Sequence, residues 1–193
     1  PGNLPGTADP TLSAGDTSPA GPAIKPETVF LAVWLAGIAA VALKTAGGCL
    51  SLSRRIRRSC VLPPADVMRT INKVRRELGI RRRLRVLVQN SASSPALTAS
   101  FLPKLILPIS LLGHPARLHF AVRHELVHFK RGDYIVCLLM LILRAVYWFN
   151  PVVWLMQKPI KTDMEAACDN IATAALPPEA KKAYARAILE MFS

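Results

Sequence analysis

His124-Glu125-Leu126-Val127-His128-Phe129-Lys130-Arg131-Gly132-Asp133 is the stretch from which the rest of the chain is read. Pro115 can open a helix leading into it, Lys130 and Arg131 complement the helix dipole at its end, and Gly132 suits the left-handed residue that stops it. On that helix the i, i+4 spacing stacks the two imidazoles on one face, about 6 Å apart. Two zinc bonds of about 2.0–2.1 Å can then converge from adjacent turns. Glu125, one residue on, reaches water rather than metal, the position of a general base in metal-assisted peptide hydrolysis. The bland alternative is an exposed helix carrying two solvated histidines, and it leaves the coincidence of motif, helix start and helix stop unexplained.

A catalytic zinc site takes three protein ligands and keeps one position open. The best third candidate is Glu165, in Asp163-Met164-Glu165-Ala166-Ala167-Cys168-Asp169. Spacing alone leaves Asp133, Asp163 and Asp169 in competition with it. Asp169, one turn beyond Glu165, could accept the second N–H of a metal-bound histidine. Between the motif and Glu165 the segment 134–156 is apolar but interrupted by Arg144 and by Asn150-Pro151. Asn150 can cap a helix whose first position is Pro151, so the segment is expected to form a membrane-inserted hairpin of two legs, about 16 and 15 residues long. Arg144 inside such a leg should face a carboxylate, the protein interior or the interface. His114 and His119 fall off the metal face.

Upstream, 64–78 has the pattern of an amphipathic helix with Gly79 past its end, and 84–88 alternates as a strand. Two apolar segments, 96–101 and 105–107, flank Leu102-Pro103-Lys104 and suggest a strand pair near a sheet edge. A free edge at Ala96, Leu97, Thr98, Ala99 and Ser100 would hold an extended peptide substrate through backbone hydrogen bonds. Farther back, 29–43 is unbroken apolar, and Lys44 can snorkel so that the span continues to 52. Residues 1–28, rich in Pro, Gly, Ser and Thr, are expected to be an extracytoplasmic linker.

The chain has 25 Lys and Arg against 12 Asp and Glu, a net charge of +13. Such a balance suits a nucleic-acid binder, but twelve of the cations fall between residues 54 and 85, directly after the apolar run. That asymmetry follows the positive-inside rule for a cytoplasmic downstream domain, so the expected partner is the lipid bilayer and not nucleic acid. Trp34, Trp148 and Trp154 lie in apolar stretches and fit interfacial anchors. Cys49, Cys60, Cys137 and Cys168 form no CxxC pair and are expected to be small apolar fillers.

HELVHFKRGD at 124–133, WFNPVVWLMQK at 148–158, DMEAACD at 163–169 and SPALTASFLPKLILP at 94–108 together resemble the peptidase domain of the BlaR/MecR family. Those are membrane zinc peptidases of the gluzincin type that transduce β-lactam signals. The similarity runs from about residue 33 to 169. It implies Zn2+ as cofactor, His124, His128 and Glu165 as ligands, Glu125 as catalytic base, and a protein substrate such as a cytoplasmic repressor or the chain itself. Ala99 stands where the family usually has Gly, and no Ser-x-x-Lys occurs, so the acylated antibiotic sensor is absent from this sequence.

The expected fold is α+β, a zincin-like metallopeptidase domain with transmembrane and membrane-inserted helices. Its parts are a linker at 1–28, a transmembrane helix at 29–52, a cytoplasmic peptidase domain at 53–176 that includes the hairpin 134–156, and an amphipathic helix at 177–193. The expected function is a zinc endopeptidase in transmembrane signalling. The alternative is a non-catalytic transducer with a structural or vestigial zinc site, against which the intact Glu125 speaks.

Overall fold

The computed structural model describes residues 2, 25–90, 92–98 and 102–192. Most of the expected linker, and the substrate-strand positions Ala99 and Ser100, lie outside them. Helix α1 spans Pro26–Ser59, opened by a proline whose ring pre-sets the helical φ. Its stretch Pro26–Arg54 has 29 residues with a mean hydropathy of 2.0, and none of its apolar window is buried within the protein. At 1.5 Å per residue that stretch is about 44 Å long, more than the roughly 30 Å of a bilayer's hydrocarbon core. Among the described residues it is the one helix long and apolar enough to cross a membrane, by length and composition.

A small sheet follows, with strands β1 (Cys60–Val61), β2 (Arg85–Gln89), β3 (Ala96–Leu97) and β4 (Lys104–Pro108) in the order β1-β2-β4-β3. β2 and β4 are parallel, with Val86 opposite Leu105 and Val88 opposite Leu107. β1 and β3 are antiparallel to their neighbours and form the two edges. A two-residue strand carries no alternation, which is why β1 leaves no sequence signal. Helix α2 (Ala65–Glu77) buries Val67, Ile71 and Val74, one stripe at helical spacing. With Leu105 and Leu107 of the sheet and Leu118, Val122 and Leu126 of helix α3 (Pro115–Arg131), that stripe forms the core. Arg123 braces the far side of α3: its Nε donates to Ala172 O (2.7 Å) and its Nη1 to Glu77 Oε2 (3.2 Å).

Gly132 stops α3 at φ 79°, a backbone conformation that costs a glycine little. Its N–H closes on His128 O, and helix α4 (Asp133–Val146) begins at the next residue. The chain turns at 147–150, where the Asn150 side chain accepts from Val152 N (3.0 Å) and opens helix α5 (Pro151–Leu155). The second leg is not the single run expected from the sequence. It breaks at Met156 between α5 and helix α6 (Gln157–Ala174). Pro159 gives the reason: it has no N–H for the Leu155 carbonyl, and its ring crowds that carbonyl. Helix α7 (Pro178–Phe192) follows and buries Tyr184 and Ala187.

α1 packs against the corner of this hairpin. Trp34 Nε1 donates to Val146 O (3.0 Å), and Trp154 Nε1 donates to Trp148 O (3.0 Å). The tryptophans expected to be interfacial anchors thus make specific contacts within the protein. Gly37 lies against the Trp148 indole, where an added Cβ would overlap the ring. Gly37→Val should therefore force α1 off the hairpin, at about 1–3 kcal/mol for overpacking. Thermal unfolding in detergent, read against Gly47→Val, where the space is open, checks it.

Candidate active site

The two imidazoles of α3 meet as the i, i+4 spacing requires, with His128 Nε2 3.1 Å from His124 Nε2. Glu165 comes from α6, and its Oε2 lies 3.4 Å from His124 Nε2 and 3.3 Å from His128 Nε2. The three atoms form a nearly equilateral triangle. Donors at about 2.0–2.1 Å from a tetrahedral ion stand about 3.3–3.4 Å apart, so the triangle has the size of one face of such a site. His124 is 2% exposed while the Glu165 side chain is 43% exposed. Of the three donors, Glu165 is thus the one that solvent reaches.

Each histidine has an acid behind it. His128 Nδ1 lies 2.6 Å from Asp133 Oδ2, and Arg131 Nε holds the other oxygen of that buried carboxylate at 3.3 Å. His124 Nδ1 lies 3.1 Å from Asp169 Oδ1 and 2.8 Å from Tyr184 Oη, whose hydroxyl donates to Asp169 Oδ1 (2.7 Å). Such contacts fix ring orientation and leave both Nε2 atoms facing the triangle. Of the acids that competed in sequence, Asp133 and Asp169 thus face the Nδ1 edges, and Asp163 is exposed.

Cys168 is more than the filler expected. It is fully buried, donates to His124 O (3.4 Å) and lies 3.7 Å from His124 Nδ1. His124, His128 and Cys168 offer atoms within 4.8 Å of one another and could hold a metal ion. Its sulfur meets His124 at the Nδ1 edge and also hydrogen-bonds His128, so it stands beside the triangle made with Glu165.

Burial by itself lowers the His124 pKa, but hydrogen bonds with Cys168 and Glu165 outweigh it and hold it at about 10. His128 is held at about 11, burial again being overcome by Cys168, Glu165 and Asp133. The histidine hydrogen bonds hold Glu165 well below the usual carboxylate range. Burial pushes the Glu125 carboxyl up, against the opposing pull of His124 and His128.

A cavity of about 500 Å³ opens beside these groups, lined on one side by Ser94, Pro95, Ala96 and Leu97 and elsewhere by stripes of α4 and α6. Its size is ordinary for a ligand site. Ala96 and Leu97 are the part of the expected substrate strand that the structure brings to the site. Thr98 departs from that expectation: its N–H donates to Lys104 O (3.0 Å), and its Oγ1 accepts from Lys104 N (2.9 Å). Its amide therefore closes the β3–β4 turn and is not free for a peptide. Backbone directions alternate along an antiparallel strand, so Leu97 faces away from β4, and its N–H donates to Glu125. The Leu97 carbonyl shares that outward side.

Tyr184 was missed in the sequence because it lies 60 residues from His124 and no spacing rule joins them. Asp133 had a signal, its place just past the helix stop, but that signal did not say which nitrogen it would face.

A small mixed sheet with a bare edge strand beside a helix that carries two histidines defines a zincin-like α+β domain. The chain belongs to the BlaR1 peptidase M56 family, whose model matches residues 7–193. It is 27% identical over 168 residues to the "Regulatory protein BlaR1" of Bacillus licheniformis. That alignment covers 86% of this chain and 28% of the relative, so the chain spans less than a third of the relative's length. Family membership and the apolar helix α1 together support a membrane metallopeptidase of the signalling type.

Tyr184→Phe removes the hydroxyl between His124 and Asp169. A hydrogen bond to a charged partner contributes about 1.5–3 kcal/mol, and a loss of that order is expected in denaturant unfolding of the metal-free protein. The pH dependence has a definite sign. Imidazoles whose pKa is raised on folding stabilise the metal-free protein fully below the unfolded value of about 6.5. That contribution fades as pH rises toward 10–11. The melting temperature of metal-free protein should accordingly fall between pH 7 and 10 by more than that of His124→Gln/His128→Gln.

Proposed function

We propose that the chain is the peptidase part of a membrane zinc endopeptidase that cuts a peptide bond in a cytoplasmic regulator, or in itself, during transmembrane signalling. His124, His128 and Glu165 are the metal ligands and Glu125 is the general base. The observation that carries this is the triangle of Nε2, Nε2 and Oε2 atoms, sized for a tetrahedral ion and open on the side of the cavity. A zinc ion held there supplies a Lewis acid for water and for the scissile carbonyl.

The chain's own groups do the rest. Glu125, with its basicity raised by burial, takes the proton of the attacking water and returns it to the leaving amine. Asp133 and Asp169 accept from the Nδ1 atoms and keep both rings turned toward the ion. The substrate lies extended along β3 and donates a backbone N–H to the Leu97 carbonyl. Orientation follows from charge: the arginines at the end of α1 and on α2 keep the domain on the cytoplasmic face.

One zinc per chain is expected by metal analysis, lost in His124→Ala or His128→Ala. Zinc retained in Glu165→Ala but lost in Cys168→Ala would give the third place to the thiolate. Because hydrogen bonds raise both imidazole pKa values, zinc uptake should release protons, read by calorimetry in buffers of different ionisation enthalpy. Glu125→Gln should keep zinc and fold but lose cleavage by about two to four orders of magnitude. Equal fragments at equal rates from wild type and Glu125→Gln would leave the non-catalytic transducer as the better account.

A further inference from the structure

The cavity has a second end. On α4 its lining residues Tyr134, Cys137, Leu141 and Arg144 follow one helical stripe, and on α6 the stripe runs from Gln157 to Glu165. At 1.5 Å per residue, Arg144 stands about 15 Å along α4 from Tyr134, and Gln157 about 12 Å along α6 from Glu165. The slot between the two legs of the hairpin thus leads from the histidines, past Cys137, Leu141 and Ile160 and beside the exposed Lys161, to Arg144 at its far end.

Arg144 is not neutralised there. Its guanidinium carbon lies 3.9 Å from the centroid of the Trp154 ring, a cation–π contact that fixes the group in place. Its Nε is enclosed and has no hydrogen-bond partner. No ion pair with a carboxylate is recorded for it among the described residues. Guanidinium donors match a carboxylate with two parallel hydrogen bonds, and with the Nε enclosed the pair offered to a ligand is the two Nη groups. The acids of the cavity, Glu125, Asp133 and Glu165, are all at the metal end.

We propose that Arg144 is a specificity-determining residue: it binds a carboxylate of the peptide substrate, about four residues from the bond that is cut. The separation follows from the slot, since an extended chain rises about 3.3 Å per residue and needs about four residues to cover 12–15 Å. The assignment rests on the peptidase reading for its substrate, but binding tests it without cleavage. Arg144 also lies in a hairpin that approaches the bilayer, so a lipid phosphate is the competing anion. Its place on the same helical stripe as the site residues favours the peptide.

The test uses zinc-loaded Glu125→Gln protein in detergent and fluorescein-labelled nonapeptides of Ala and Leu. Each peptide carries one Glu, scanned through the positions, and is paired with its Gln counterpart. The expected result is one narrow window of positions at which Glu binds about tenfold or more tighter than Gln, the range of a charge-assisted hydrogen bond. Arg144→Gln should erase the window, Arg144→Lys should keep part of it, and Arg144→Glu should transfer the preference to a Lys peptide. No window in wild-type Arg144, or a window that survives Arg144→Gln, overturns the proposal. So does equal peptide binding by both, with phosphatidylglycerol stabilising only the protein that keeps Arg144. Absence of cleavage by the protein with Glu125 intact would count against the peptidase reading alone.

Discussion

Glu165 must come within 3.4 Å of two imidazoles that lie 37 to 41 residues earlier in the chain, and almost every feature of the architecture serves that approach. The chain leaves α3 at a left-handed glycine, runs out along α4, turns at a capped asparagine and comes back along α6. Arg131 Nη1 reaches Met164 O (3.4 Å), a contact that ties the outgoing end of α3 to the returning turn of α6. The rigidity of α3 itself comes from the core on its other face, where Leu118, Val122 and Leu126 are almost wholly enclosed. A metal site needs its donors held to a fraction of an ångström, and packed helices do this better than loops.

The same return creates the cavity. Two helices that diverge from a common base leave space between them, and the residues facing that space are fixed by helical periodicity. The carboxylates and imidazoles of the candidate site therefore collect at the base, where α3 joins α4 and α6 comes alongside. The upper slot mixes apolar walls, Leu141 and Ile160 among them, with the side chains of Lys161, Gln157 and Arg144. Trp34, Gly37 and Trp148 make the junction between α1 and the hairpin corner, while Arg144 stacks on Trp154 just inside it.

Electrostatics divides the work among neighbouring acids. Glu165 is kept ionised by the histidines it meets, and Glu125 becomes more basic through burial. Asp133 and Asp169 stand behind the rings. Four carboxylates lie within one small region, and each is distinguished by which nitrogen, or which face of the cavity, it meets.

Much of this was legible in the amino-acid sequence, because its signals are local. Helix α3, with its proline start, its glycine stop and two histidines one turn apart, follows from rules that act over four residues. The apolar run of α1 and the Asn150-Pro151 cap are of the same kind. Pro159 also carried a local signal, the break at Met156. What sequence left open was everything that depends on distant segments meeting. Spacing could not choose among Asp133, Asp163, Glu165 and Asp169, since the choice turns on which edge of an imidazole each carboxylate faces. It could not bring Tyr184 or Cys168 to His124, and it could not show that the Thr98 amide closes on Lys104 while the Leu97 amide turns to Glu125. Those are decided by packing, because a helix or strand sets the direction of a side chain relative to its own axis, and only the tertiary structure sets where that axis lies.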